Sequence, residues 1–132
     1  NTISKTIGLV HAGWRGLSSG VINEYIYNVD KNNERVSDNY VFIGPSIKKC
    51  CFKIQNDVLN HFDSRFYSKI NDKHYQVDLQ EWAVNQIMNL NIKKDKIFVI
   101  DKCTYCNKGL YESFRRDGDV AGRMYALLGW LK

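Results

Sequence analysis

The chain has 132 residues, of which 44% are hydrophobic and 13% aromatic, and its formal net charge is +5 with a pI near 9.0. That composition suits one globular domain with a packed core and excludes wholesale disorder. No run approaches the ~20 apolar residues of a membrane span, and the scattered lysines of SIKKC and NIKKDKI read as solvated surface rather than a nucleic-acid patch.

Residue 1 is Asn, and an apolar run follows within a few residues. Upstream sequence is therefore expected to be missing from this chain. The opening residues do not read as a secretory signal, so a cytoplasmic protein is expected. Residues 6–11 (TIGLVH) are short, apolar and partly β-branched, which predicts a buried strand. AGWRG follows as a turn. Leu17, Val21, Tyr25 and Val29, with Ile22 and Ile26 beside them, recur at helical spacing and predict a helix over 17–30, with Ser18 or Ser19 near its start. Residues 32–39 read as a polar loop. A second strand is predicted over 40–44, ended by the Gly44-Pro45-Ser46 turn. Residues 48–54 read as extended or turn.

Val58, Leu59, Phe62 and Phe66 predict a helix over 57–66, and alternation predicts a strand over 73–78. Leu79, Trp82, Ala83, Ile87 and Leu90 mark a further helix, with Asp78 as its N-cap. Residues 96–100 read as a strand, 103–123 as a polar, arginine-bearing stretch, and 124–131 as a last strand. Strands and helices alternate, so the expected class is α/β, or α+β with a mixed sheet and flanking helices.

Four cysteines occur, at positions 50, 51, 103 and 106. Without an export signal they are expected as reduced thiols. Cys50 and Cys51 are adjacent and do not easily bond each other. Together with Cys103-Thr-Tyr-Cys106 they offer four thiolates. A zinc ribbon uses two spaced pairs, however, so this spacing argues against a structural zinc.

His11 closes a predicted strand just before a glycine turn, where a loop presents side chains. Imidazole is a common metal ligand and a general acid or base near neutral pH. His61 and His74 read as surface residues, and Trp14 as core. Arg15 follows His11 by four residues, and its planar fork suits a phosphate or carboxylate. The other reading is an ion pair with the domain's own acids. The segment SFRRDGDVAGR concentrates Arg115, Arg116 and Arg123. Anion binding and a structural tie to a carboxylate, with Asp78 and Asp101 as obvious partners, are equally open there.

HAGWRG, IGPSIKKCCFKI, VDLQEWAVNQI, CTYC and SFRRDGDVAGR, in this order, resemble the YfiH family. Its members have been called laccase-domain or multicopper polyphenol oxidases and are now described mainly as zinc-dependent purine nucleoside enzymes. The resemblance runs from residue 7 to 131. It implies a single α/β domain that phosphorolyses adenosine, inosine, guanosine and methylthioadenosine and deaminates adenosine. It implies a metal site of one Cys and two His. His11 matches one ligand, and the other two lie upstream of this chain. The whole chain, 1–132, then corresponds to the C-terminal portion of one YfiH-like domain.

Cys50 and Cys51 match a cysteine–aromatic segment of the family that supplies no ligand. Arg15 and Arg116 are the phosphate candidates by position and chemistry, with Arg115 and Arg123 beside them. Two positions depart from the family pattern: Phe114, where Tyr is common, and Glu112, where an apolar or aromatic residue is usual. Purine nucleoside and phosphate are the expected partners, with no nucleic acid and no membrane. Two alternatives stand beside this reading. One is a copper-dependent polyphenol oxidase. The other is an inactive module that pairs with its missing half or forms a homo-oligomer.

Overall fold

A computed structural model describes residues 1–30 and 35–131, without the side chains of Val29 and Asp30. The predicted loop over 32–39 lies partly outside the described residues. The chain is a mixed α/β structure with small sheets and several short helices, and it divides into two compact units. One comprises Asn1–Phe42, Ala83–Phe98 and Tyr125–Lys132; the other comprises Ile43–Trp82 and Val99–Met124. No helix of the described residues is long and apolar enough to cross a membrane.

In the first unit the single helix predicted over 17–30 is two helices, α1 (Trp14–Ser18) and α2 (Val21–Asp30). Gly20 separates them at φ +81°, a conformation that side chains with a Cβ rarely adopt. The Gly20 N–H bonds the Leu17 carbonyl and the Gly20 carbonyl accepts from Glu24, so one residue ends a helix and begins another. The apolar periodicity survives the break. Leu17, Ile22 and Ile26 are buried, as are Ala83, Ile87 and Ile92 of the same unit.

Residues 6–11 are not a strand. They join no ladder among the described residues, and Ile7, Leu9 and Val10 are exposed. A strand is completed by a neighbour, and apolar composition supplies none. The segment is nonetheless placed, because a Cβ at Gly8 would overlap the Tyr25 ring on α2. Residues 124–131 are likewise extended without a ladder, and Tyr125, Leu127 and Leu131 are almost fully exposed. The two segments meet where the Trp130 indole N–H donates to the Lys5 carbonyl at 2.7 Å and the Lys5 ammonium sits over the indole ring.

The predicted strands over 40–44 and 96–100 form as β1 (Val41–Ile43) and, later in the chain, Ile97–Val99; the two pair as a two-stranded sheet. In the second unit β2 (Lys53–Gln55), β3 (Tyr67–Lys69) and β4 (His74–Val77) form an antiparallel sheet ordered β2-β4-β3. Ile54 pairs with Tyr75 and Tyr67 with Val77.

The helix predicted over 57–66 is instead two 3-10 turns, Asn56–His61 and Ser64–Phe66. Phe62 between them is extended, and the Asp63 carboxylate caps the second turn by accepting the Arg65 N–H. An Asp whose side chain captures its own backbone competes with a continuing helix. Phe62 and Phe66 still reach the core, against Phe52, Ile54, Val77 and Trp82.

Helix α3 (Leu79–Asn89) starts as expected, with the Asp78 carboxylate accepting the Glu81 N–H at 3.0 Å. The remaining elements are β5, the Ile97–Val99 strand already paired with β1, the short α4 (Phe114–Asp117), and the 3-10 turns Val36–Asp38, Lys94–Lys96 and Gly118–Val120.

Candidate functional site

Three groups of chemically capable side chains lie on this frame. The first follows the extended 6–11 segment. His11 is exposed, with its Nε2 close against Gly13, where a Cβ would stand 3.2 Å away. The Gly13 carbonyl accepts the Leu17 N–H at 2.9 Å, which closes the turn into α1. Leu17 is buried, and its own carbonyl accepts from the Gln86 side-chain amide at 3.1 Å. The turn carrying His11 and Arg15 is therefore fixed by one core side chain and one cross-chain hydrogen bond.

Arg15 lies over the Trp14 ring at 4.3 Å from its centroid and forms no ion pair among the described residues. Trp14 is half-buried rather than a core residue. A cation–π contact with an uncharged ring leaves the guanidinium's net positive charge in place, so it can still meet an external anion. His61 sits on the first 3-10 turn. His74 is half-buried on β4, with its ring Nδ1 against the Asn71 side-chain Oδ1 at 3.1 Å.

The second group is the arginine tail. Arg116 on α4 commits its whole donor fork. Nη1 donates to the Thr104 and Tyr105 carbonyls, Nη2 to the Tyr111 carbonyl and Asp117, and Nε to Asp117. The adjacent guanidinium holds the Asp117 carboxyl below its usual range. The carboxylate partner is thus the neighbouring residue. Asp78 caps α3 and Asp101 pairs with Lys48.

Arg115 donates to the Lys53 carbonyl at 2.7 Å and covers the Phe52 ring. Arg123 donates to the Ala121 and Gly122 carbonyls. Glu112 accepts the Gly122 N–H at 2.9 Å, so a carboxylate at this position braces the tail. Lys108, Tyr111, Glu112, Arg116 and Arg123 line an open cleft of about 440 Å³.

Arg116 therefore holds the 104–111 loop to α4. Replacing Arg116 by Ala removes the donors for three backbone carbonyls at once. The expected result is a fall of several degrees in Tm, with Arg116→Lys recovering only part because an ammonium has no planar fork. Melting curves of the two variants against the parent check this; an unchanged Tm for Arg116→Ala would contradict the assignment.

The third group was disfavoured by its spacing and is assembled by the fold. The sulfurs of Cys50, Cys51, Cys103 and Cys106 all lie within 4.8 Å of one another. Cys51 and Cys106 are 3.3 Å apart, Cys50 and Cys51 3.6 Å, and Cys50 and Cys106 3.9 Å. Cys103 is buried, and its sulfur accepts the Lys48 N–H at 3.5 Å. Burial pushes that thiol up, but the N–H groups of Lys48, Cys106 and Tyr105 outweigh it and hold the Cys103 thiol at about 6. Burial and neighbouring sulfurs push the Cys51 thiol upward.

The reason for the assembly is a parallel bridge between Ser46 and Cys103, extended by the bonds Ile100 N–H to Ile43 and Thr104 N–H to Ser46. Two chain segments that run side by side in one direction deliver the residues after them to the same end. That register, rather than any ligand spacing, was the signal available in YVFIGPS and KIFVIDKC.

Among the described residues no group of three or more candidate metal ligands includes His11.

The family model for the multi-copper polyphenol oxidoreductase laccase matches residues 1–131. Among curated proteins, the purine nucleoside phosphorylase YlmD of Geobacillus stearothermophilus is 31% identical over 132 residues, which cover 93% of this chain and 48% of that protein. The purine nucleoside phosphorylase YfiH of Escherichia coli is 30% identical over 137 residues, covering 99% of this chain and 53% of that protein. The crystal structure of YlmD from Geobacillus stearothermophilus superposes with a TM-score of 0.76 at 28% identity, over 82% of this chain and 43% of that one. The chain spans about half the length of the curated relatives it matches.

Proposed function

Because the chain belongs to the multi-copper polyphenol oxidoreductase laccase family along residues 1–131, we propose that it is the C-terminal portion of a YfiH-like domain acting as a zinc-dependent purine nucleoside phosphorylase. Deamination of adenosine and phosphorolysis of methylthioadenosine belong to the same proposal. The observation that carries it is the HAGWRG turn. An exposed imidazole and an arginine with no carboxylate partner among the described residues stand four residues apart on a turn anchored by Leu17 and Gln86. The names of the relatives point to the same substrates.

His11 offers one nitrogen donor. One donor does not hold a catalytic zinc, which takes three protein ligands and an open position. The proposal therefore places a second His and a Cys upstream of this chain, in line with relatives about twice its length. His11 would be one of the ligands of such a set, and the ion, when bound, would supply Lewis-acid activation of water for attack on the purine ring.

The chain's own residues do the rest. Arg15 is assigned to phosphate, since it forms no ion pair among the described residues and lies against the uncharged Trp14 ring. Arg123, beside the open cleft, is the second anion candidate. Arg115 and Arg116 keep the surrounding loops in place, and any contact they make with substrate is secondary to that. Breaking the glycosidic bond builds positive charge on the sugar, and a phosphate fixed beneath it both stabilises that charge and supplies the nucleophile.

The test uses the protein with its upstream segment. Inosine should yield hypoxanthine only when phosphate is present, and adenosine should release ammonia without phosphate. Oxygen uptake with a phenolic substrate, absent nucleoside turnover, would replace this reading with copper-dependent oxidation, the chemistry in the family's name. No turnover of either kind would favour an inactive module.

A further inference from the structure

We propose that Cys50, Cys51, Cys103 and Cys106 form a second metal site, a closed tetrathiolate that takes a single tetrahedral divalent ion of the zinc type. The site is separate from the one assigned to His11, which is not among its donors.

The geometry is the argument. A tetrahedral zinc with bonds of about 2.3 Å sets its sulfurs about 3.8 Å apart. The three measured sulfur separations are 3.3, 3.6 and 3.9 Å, and no pair of the four exceeds 4.8 Å. Core packing does not explain the cluster, because Cys50 and Cys106 are exposed. A buried thiol contributes as a small apolar group, and exposed ones contribute nothing by packing.

Four sulfurs with no oxygen or imidazole donor suit a soft or borderline ion and not magnesium or calcium. A laccase-type copper centre draws on imidazole, and no His belongs to this group. The Lys48 N–H already points at the Cys103 sulfur, the kind of outer contact that orients a thiolate ligand.

Four protein ligands leave no position for water, so the role is structural. The ion would join the 50–51 turn to the 103–106 loop, the loop that also supplies the Thr104 and Tyr105 carbonyls to Arg116. On binding, each sulfur that still carries a proton loses it to solvent as it bonds the ion, and no electron is transferred.

The experiment is cobalt reconstitution of the chain, reduced and stripped by a chelator. The expected result is uptake of one Co²⁺ per chain with strong sulfur-to-cobalt charge-transfer absorption and visible bands of tetrahedral cobalt, all displaced by Zn²⁺. Cys106→Ser should weaken uptake at least tenfold, and His11→Ala should leave it unchanged. If Cys106→Ser does not fold, the native chain still decides, because the charge-transfer intensity scales with the number of cobalt–sulfur bonds.

A pale octahedral spectrum, or no uptake by fully reduced chain, would overturn the site. So would loss of the ion in His11→Ala. A Cys51–Cys106 disulfide whose reduction restores no cobalt binding counts against it equally. None of these results bears on the nucleoside reading, which rests on His11 and Arg15.

Discussion

Replacing His11 by Ala should lower kcat/KM for inosine phosphorolysis by more than about 100-fold in the protein that carries the upstream ligands. Losing even an outer partner of a metal ligand typically costs about 10- to 100-fold, and a direct ligand is worth more. The same sample should lose the one equivalent of zinc assigned to His11, while any ion on the four cysteines stays. Stability should not fall, because His11 is exposed and the turn is held by Leu17 and Gln86 rather than by the imidazole. Three readouts therefore move differently: turnover and zinc fall together, while the urea midpoint stays. Full turnover in His11→Ala would remove this residue from the site. A collapsed midpoint would make it a structural residue instead.

Arg15→Ala belongs to the same experiment as its contrast. It should raise KM for phosphate and leave zinc content intact, since the guanidinium is stacked on Trp14.

The largest loss of stability is expected at Trp82. Its indole is 7% exposed and meets Phe62 at 5.7 Å and Phe66 at 6.5 Å between ring centroids. Phe62 in turn stands edge-on to Phe52. Truncation to Ala removes the ring that Phe62 and Phe66 both pack against, and leaves Phe62 with its backbone N–H bond to the Leu59 carbonyl. Aromatic-to-Ala changes in a core cost about 3–5 kcal/mol, which is a large share of a small domain's total of about 5–15 kcal/mol. Trp82→Phe keeps a ring and should cost about half as much or less, on the same cavity argument. Urea titrations of the two variants check the order. Equal midpoints for Trp82→Ala and the parent would mean that the aromatic cluster contributes no net stability.

How much of this was legible follows from what each element needs. Helix α3 was legible because everything that makes it is local: an Asp cap, a run of apolar residues at helical spacing, and no breaker. Strands β1, β4 and β5 were legible within a residue or two at their ends, since each is a short β-branched or aromatic run. The 17–30 helix was legible in its buried face but not in its break. Gly20 was visible, yet nothing local says that it adopts φ +81° rather than continuing the helix.

The 57–66 segment shows the same limit from the other side. Its apolar residues do reach the core, but Asp63 diverts the backbone and the path to burial is not helical. The segments 6–11 and 124–131 carry strand composition and no strand, because a ladder depends on a neighbour.

For the candidate sites the division is similar. His11 and Arg15 could be singled out because they stand four residues apart in one motif; the structure shows both exposed, and their roles belong to the proposal. The role of Arg116 was half legible, since the guanidinium was expected to meet an acid but the acid is Asp117 and the main acceptors are carbonyls. The cysteine group was not legible, because 51 residues separate Cys51 from Cys103 and only the parallel bridge at Ser46 closes that distance.

The unpaired 124–131 segment has a consequence for the lifetime of the chain in a cell. An extended run with open backbone and projecting Tyr125, Leu127, Leu128 and Leu131 has the form that protease clefts and chaperone grooves accept. The contact of Trp130 with Lys5 is what must open for the segment to be gripped along its length. Turnover of the chain would then follow the fraction of time this segment spends uncovered, rather than the global folding equilibrium. A neighbouring strand laid along it would act as a stay of degradation, and the abundance of the chain would report on how often that neighbour is in place.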